Sequence, residues 1–503
     1  MPAPPRTRDI FSTEHLYADL RARSVRGGVL TVSSQGIQFV VLSVATVVLA
    51  RLLTPSDFGL VAMVTSITGL GQAFADLGLS EATIQRPEIN HKQVSTLFWV
   101  NVAIGVVLTA IAASMAPLLS WFYRDPRIFR ITLCVSITFL IGGLRVQHDA
   151  LLKRQMRFKA LVMRDMTSPM IAVPIAILIA WMGGGYWALV ALPMTLNGVA
   201  TLWSWALARW IPGLPSFNAS IRSLMGFGGS VASSYLLLNI IGNTDNVLVG
   251  RYCGAGPLGL YSRAFNLLML PVKQLSGPVG SVAVPAYSRA HLEGGRLARY
   301  YLRTVSLFMW LGMPVFGFLF VTAVPVITVV LGHQWIEAAG VFRLLDLGAV
   351  SQLLLNVTVW LLVGRGRADR LLRLVAFIAP VTIASYVIGL PFGIKGVALS
   401  GALTMLVILP WILHYSFRDT SLRLGQVGKV AMYPIIICVV AVSLSLLWMR
   451  TFPTPSLGLQ FGTAAVCFGL TYGLFLLNPS VRAEVSDLFE ILWNSLRSKI
   501  SEA

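Results

Sequence analysis

An all-α polytopic membrane protein is the fold class that this sequence predicts, and three observations carry it. Of 503 residues, 56% are hydrophobic and only 12% are charged, against about 25% charged in a soluble domain. The apolar residues recur from end to end in runs of around 20, the length a helix needs, at about 1.5 Å per residue, to cross a bilayer. The basic residues fall in short loops on alternate sides of those runs, as topology requires. Irregular lipid-exposed backbone is excluded, so the spans are helices; the alternation of a transmembrane β-barrel is absent.

Taken in order, residues 1–26 are polar, with Arg6, Arg8, Arg21, Arg23 and Arg26. No short apolar core with a small-residue cleavage site follows, so this reads as a tail and not a removed signal peptide. The first span, near 28–49, carries Ser33, Ser34, Gln35 and Gln38. A turn at Arg51–Gly59, with Pro55 and Gly59 as breakers, leads to a second span running to Ser80, with Gln72 and Asp76 near its end. Spans three and four lie near 95–117 and 129–148, followed by the densest basic loop, with Arg145, Lys153, Arg154, Arg157, Lys159 and Arg164. Spans five and six, near 166–182 and 186–208, join through Gly183–Gly185, and Pro169 and Pro174 should kink the fifth.

Residues 225–285 supply spans seven and eight. Four more follow near 304–331, 338–362, 372–390 and 394–416, then a last pair near 430–449 and 457–477. The tail after Pro479 reads as a polar amphipathic helix. The expected organisation is therefore a tail over 1–26, six spans over 27–208, six over 209–417, an extra pair over 418–477 and a tail over 478–503, about 14 spans in all.

The net charge of +19 invites a nucleic-acid partner, but position argues against it. With both termini on one side, 29 Lys and Arg fall on that side and 9 on the other. The positive-inside bias makes the terminal side cytoplasmic, and these cations read as topology determinants and contacts to anionic lipid. Cys134, Cys253, Cys438 and Cys467 have no metal or redox spacing, and no two histidines stand at ligand spacing. No Walker loop, GxSxG or HExxH occurs, so neither cofactor, metal nor catalysis is expected.

Residues 228–260 also echo residues 28–60 at an interval of 200. Gly228 falls on Gly28, Ser233 and Ser234 on Ser33 and Ser34, Val247 on Val47, Arg251 on Arg51, Gly259 on Gly59 and Leu260 on Leu60. Repeated halves are the usual build of secondary transporters. What remains is charge inside the membrane, costly unless paired or facing water. Lys273 lies about mid-span, either in an ion pair with Asp245 or as an anion site for a phosphate. Asp245 sits beside Asn239, Asn243 and Asn246, whose spacing places the three asparagines on one helical face, as interhelical hydrogen bonds or as a cavity wall. Asp76 and Glu81 read as helix caps or partners of Arg86; Arg343 and Asp346, three apart, are expected to pair.

These residues resemble a known family. The LARLLTPSDFGLVAMV turn, the FADLGLSEATIQRPE run, the ALLKRQMRFKALVMRD loop and the NTDNVLVGRYCGAGPLGLYSRAFNLLMLP stretch are similar to the bacterial lipid-linked oligosaccharide flippases of the multidrug/oligosaccharidyl-lipid/polysaccharide exporter superfamily. The resemblance spans residues 20–420 and implies two pseudo-symmetric six-helix lobes around a central cavity, opening alternately to the two sides. It carries Arg51, Gly59, Asp76, Asp245, Arg251 and Gly259 as family positions.

The implied substrate is a polyprenyl-diphosphate-linked oligosaccharide repeat unit, exported across a bacterial inner membrane for surface or exopolysaccharide assembly. Other expected partners are membrane lipids, a polymerase or assembly protein, and H+ or Na+ as coupling ion. Cavity candidates are Lys273, Asn239, Asn243, Asp245, Arg51, Arg251, Asp76, Gln35 and Gln274. Two other readings compete: a drug or cation antiporter of the same fold, whose cavity would be acidic and aromatic, and a membrane polymerase or ligase, which would need a long outer loop that this chain lacks.

Overall fold

The computed structural model describes residue 11, residues 20–216 apart from 75–77 and 87, residues 242–452 apart from 291–295, and most of 456–486. Asn239, Asp76 and the expected terminal helix after Pro479 fall wholly or largely outside that set. The described residues form helices joined by short turns and divide into two compact units, residues 1–259 and 260–502. Among them, nine helical stretches are long and apolar enough to cross a membrane, ten if a pair bent by 43° within residues 255–290 counts as one span. Helices of that number, length and composition are those of a multi-pass membrane protein, and an expectation of about 14 spans is compatible with that count.

The first unit runs α1 (Leu20–Leu52), α2 (Pro55–Thr68), a 3₁₀ stretch (Gly69–Phe74), α3 (Leu79–Gln85), α4 (His91–Ser114), α5 (Ala116–Tyr123), α6 (Arg127–Arg154), α7 (Phe158–Trp181), α8 (Trp187–Ala208) and a helix over 242–253, α9. α2 starts where the sequence dictates. Pro55 occupies the first turn, the Thr54 hydroxyl caps the Asp57 N–H, and the Asp57 carboxylate reaches back to the Thr54 N–H at 2.9 Å. Such a box is worth about 1 kcal/mol. Asn90 and Gln93 build the same box for α4.

The core of this unit forms where α4, α6 and α8 pack. Leu97, Phe98, Leu151, Leu152, Leu161 and Trp210 are buried together, and His148 stacks on Trp205 with ring centroids 4.4 Å apart. Hydroxyls inside the spans bond back to carbonyls of their own helices, as Thr46 does to Leu42 and Thr132 to Ile128. That satisfies them without water.

The second unit continues with α10 (Ala255–Ala290, whose first turn belongs to the first unit), α11 (Arg296–Val321), α12 (Ala323–Val330), α13 (Ala338–Gly364), α14 (Ala368–Gly389), α15 (Gly393–Ser416), α16 (Leu424–Thr451) and α17 (Leu457–Phe475). α13 packs on α11 and α15, and α16 and α17 pack on α11. The order repeats the first unit: a long helix broken just before a short eight-residue one (α4–α5, α11–α12), then three long helices.

A close internal likeness is the turn before α7 and the turn before α14. Gln155, Met156 and Arg157 donate to the carbonyls of Leu151, Lys153 and Leu152; Arg365, Gly366 and Arg367 donate to those of Leu361, Val363 and Leu362. Gln155 thus corresponds to Arg365, and Arg157 to Arg367. Met156 (φ 50°) and Gly366 (φ 67°) hold the same left-handed position, which glycine fills without the steric cost methionine bears.

Two expectations about boundaries are corrected. Span two is not one α-helix as far as Ser80: α2 ends at Thr68 and tightens into the 3₁₀ stretch over Gly69–Phe74. The basic segment 145–165 is not a loop, because α6 runs through Arg154 and α7 begins at Phe158. Several of its charges therefore sit on helices, where they pair with one another.

Candidate functional site

The 200-residue echo becomes a physical contact within the first unit. A Cβ built on Gly59, in α2, would lie 1.7 Å from the Ala255 carbonyl oxygen, and one built on Gly259 would lie 1.8 Å from the Pro55 carbonyl oxygen. Pro55 and Ala255 are themselves 200 apart, as are Gly59 and Gly259. The first turns of α2 and α10 thus meet reciprocally, each glycine seated on the other repeat's backbone, an approach that only a residue without a side chain permits. Close by, the Arg251 guanidinium lies over the Phe122 ring, 5.6 Å from its centroid. Such a contact is worth about 0.5–1 kcal/mol at exposed sites. Arg51 ends α1 exposed.

The span-embedded candidates separate into buried and exposed sets. Asp245 is 4% exposed and accepts from the Asn246 N–H at 2.8 Å. Asn243 and Asn246 are half-buried, and the Asn246 side-chain oxygen has no hydrogen-bond partner among the described residues. Gln35, Lys273 and Gln274 are exposed. Among the described residues no ion pair of Lys273 is found. Further along the same helix the Ser276 hydroxyl accepts from the Asn356 amide at 3.1 Å.

Two other pairings are corrected. Arg343 and Asp346 do not meet: the Arg343 Nε–H donates to the Phe320 carbonyl at 3.1 Å, in the last turn of α11, where carbonyls lack helical partners. Asp346 is left 5% exposed with one carboxylate oxygen unpartnered among the described residues. Glu81 takes the Gln85 amide at 3.3 Å, not Arg86.

A second polar cluster was hidden in the segment read as topology. On α6, Asp149 accepts the Arg164 guanidinium of α7 at 2.5 Å, the Arg145 guanidinium at 3.3 Å and the Ser204 hydroxyl of α8 at 2.6 Å. Arg164 also holds Asp165 at 2.6 Å. The signal in the sequence was a lone aspartate one turn after an arginine on a helix, but its partners Arg164 and Ser204 belong to other helices.

Where α2 gives way to the 3₁₀ stretch, an apolar groove of about 760 Å³ opens between it, α4 and α6, lined by Ile67, Gly71, Trp99, Ile104, Val107 and Phe139. The Trp99 indole N–H is already donated to the Gly213 carbonyl at 2.8 Å, so the groove has nothing to offer a sugar. Among the described residues no group of three or more His, Cys, Asp or Glu stands together as a metal site would require.

Residues 48–340, more than half of the chain, match the family model described as polysaccharide biosynthesis protein. The chain belongs to that family. Among similar family relatives is the teichuronic acid biosynthesis protein TuaB of Bacillus subtilis (strain 168), 26% identical over 60% of this chain and 63% of its own length. The lipopolysaccharide biosynthesis protein WzxC of Escherichia coli (strain K12) is 24% identical over 74% and 76%. The succinoglycan biosynthesis transport protein ExoT of Rhizobium meliloti (strain 1021) is 26% identical over 62% of each chain. The matches to TuaB and ExoT thus span under two thirds of those relatives.

Among solved structures, the fold is similar to the lipid II flippase MurJ in an inward closed conformation, with a TM-score of 0.68 at 12% identity, covering 90% of this chain and 99% of that one. A multidrug resistance transporter of the MATE family, inward-facing, gives 0.60 at 14% identity over 78% and 96%. This family member therefore shares the all-helical fold of those two proteins, the fold class that the sequence predicted.

Proposed function

We propose that this protein is a flippase that moves polyprenyl-diphosphate-linked oligosaccharide repeat units across a bacterial inner membrane for surface or exopolysaccharide assembly. The observation that carries this reading is membership of a polysaccharide biosynthesis family on a chain whose fold matches a lipid II flippase over 90% of its length. The names of WzxC and ExoT point the same way. The protein translocates and does not catalyse.

The physics fits the task. A sugar head group cannot cross hydrocarbon unaided, so polar and cationic side chains must replace water while the lipid tail stays in the bilayer. Lys273 offers its ammonium to a diphosphate, and Gln274, Asn243 and Gln35 offer amides to hydroxyls. We place both termini in the cytoplasm, from the charge bias of the loops. H+ or Na+ is the expected coupling ion, with Asp245 a candidate carrier, and a polysaccharide polymerase the expected partner downstream.

The likeness to a multidrug transporter keeps one second reading, an antiporter of drugs or cations. Lipid analysis of a deletion strain separates the two. Accumulation of a polyprenyl-diphosphate oligosaccharide on the inner leaflet is expected here. Unaltered lipid-linked intermediates together with new drug sensitivity would favour the antiporter.

A further inference from the structure

The turn from α13 to α14 and the linker from α15 to α16 gather several guanidinium groups around one carboxylate. Asp419 takes both Arg370, in direct contact, and Arg367, whose Nη2 lies 3.6 Å from its Oδ2. Arg365 donates through Nη2 to the Asp419 carbonyl at 3.0 Å and through Nη1 to the Arg418 carbonyl at 3.3 Å. Arg370 donates to the Arg418 carbonyl as well, at 2.9 Å. Three cations thus face a single anion, and that anion's side chain is 57% exposed while Arg370 is only 15% exposed. Arg365 is buried, 7% exposed, and its Nε–H has no hydrogen-bond partner among the described residues. Burial, and then the charges of Arg370 and Arg367, pull the Arg365 guanidinium below its ordinary range, and Asp419 alone opposes them.

The fold does not demand this arrangement. The equivalent turn before α7 has the same backbone hydrogen bonds, yet Gln155 stands where Arg365 does and Ala160 where Arg370 does. There Arg157, the counterpart of Arg367, ties the turn to α8 through the Leu207 carbonyl at 2.9 Å. Topology does not demand it either. A loop cation that only sets orientation can stay solvated, whereas Arg365 is desolvated with a donor unused among the described residues, an arrangement that costs free energy. A cluster of guanidinium groups at the end of membrane helices, with charge in excess of its one carboxylate, suits the fork geometry and charge of a phosphate.

We propose that Arg365, Arg367 and Arg370 form a phosphate-binding site at the membrane surface, completed by a phosphate group that neutralises the excess charge Asp419 leaves. The site stands apart from the transport reading and does not depend on what is carried. Its ligand is either an anionic phospholipid head group or a soluble phosphate, and the two are separable. Purified full-length protein in detergent is titrated with short-chain phosphatidylglycerol, with phosphatidylcholine of the same chain length, and with sodium diphosphate, reading bound ligand by native mass spectrometry.

A lipid site binds phosphatidylglycerol about tenfold more tightly than phosphatidylcholine, and Arg365→Gln, which installs the residue of the equivalent turn, abolishes that preference. A soluble-phosphate site binds diphosphate without lipid, with the same loss in Arg365→Gln. Arg367→Gln, at a half-exposed position, serves if Arg365→Gln fails to fold. The proposal is overturned if the wild type prefers neither anion, or if the preference survives both substitutions.

Discussion

Replacing Gly259 by alanine puts a methyl group 1.8 Å from the Pro55 carbonyl oxygen, and Gly59→Ala puts one 1.7 Å from that of Ala255. Cβ atoms do not approach other heavy atoms within 3.0 Å, so the two helix starts must separate to make up the shortfall. The obstacle is backbone on both sides, which cannot rotate away as a side chain would. Overpacking of this kind costs about 3 kcal/mol, the upper part of the usual range. At roughly 2–4 °C per kcal/mol for a large domain, the melting temperature falls by about 6–12 °C. Gly256→Ala is the control, because its Cβ meets open space. The assay is heating of purified protein followed by the fraction that remains monodisperse. Because both alanines press on one joint, the double variant should lose less than the sum of the singles. Equal melting temperatures for all of these variants would refute the contact and the reasoning built on it.

Lys273→Gln should reduce export of surface polymer while leaving protein abundant in the membrane fraction; normal polymer yield would remove Lys273 from the transport path. Asp149→Asn strips a charge from two partly buried arginines, 28% and 12% exposed, and should cost about 3 kcal/mol, read as reduced thermal stability of the purified protein, with Ser204→Ala costing about 1 kcal/mol. Asp346→Leu removes a buried carboxylate with an unpartnered oxygen and should raise the melting temperature rather than lower it. A marked fall would mean that the carboxylate has a partner on which the packing of α13 depends.

Much of this architecture was legible because membranes constrain sequence strongly. The fold class followed from run length, and the repeat from Gly59, Gly259, Arg51 and Arg251, which sit at turns where small shifts in residue type are felt most. The break after Thr68 was not legible, since the following residues are apolar and neighbouring helices decide whether such a stretch stays α-helical. The Arg145–Asp149–Arg164–Asp165 network escaped for the reason that its charges looked like a basic loop; only the continuation of α6 to Arg154 brings them face to face. Arg343 and Asp346 had the spacing to pair, but an orphan carbonyl at the end of α11 captured the arginine. The two arginine-bearing turns were visible as basic loops, whereas the difference between Gln155 and Arg365 gained meaning only once their backbones matched.

Transport itself is tested most directly with purified protein in sealed vesicles containing a polyprenyl-diphosphate oligosaccharide. A membrane-impermeant reagent that modifies the sugar is added outside. With the protein present, modification should proceed beyond the outward-facing share until the inner pool is exhausted, and Lys273→Gln should slow that second phase. Modification that stops at the outward-facing share, at the same level as protein-free vesicles, would contradict the account.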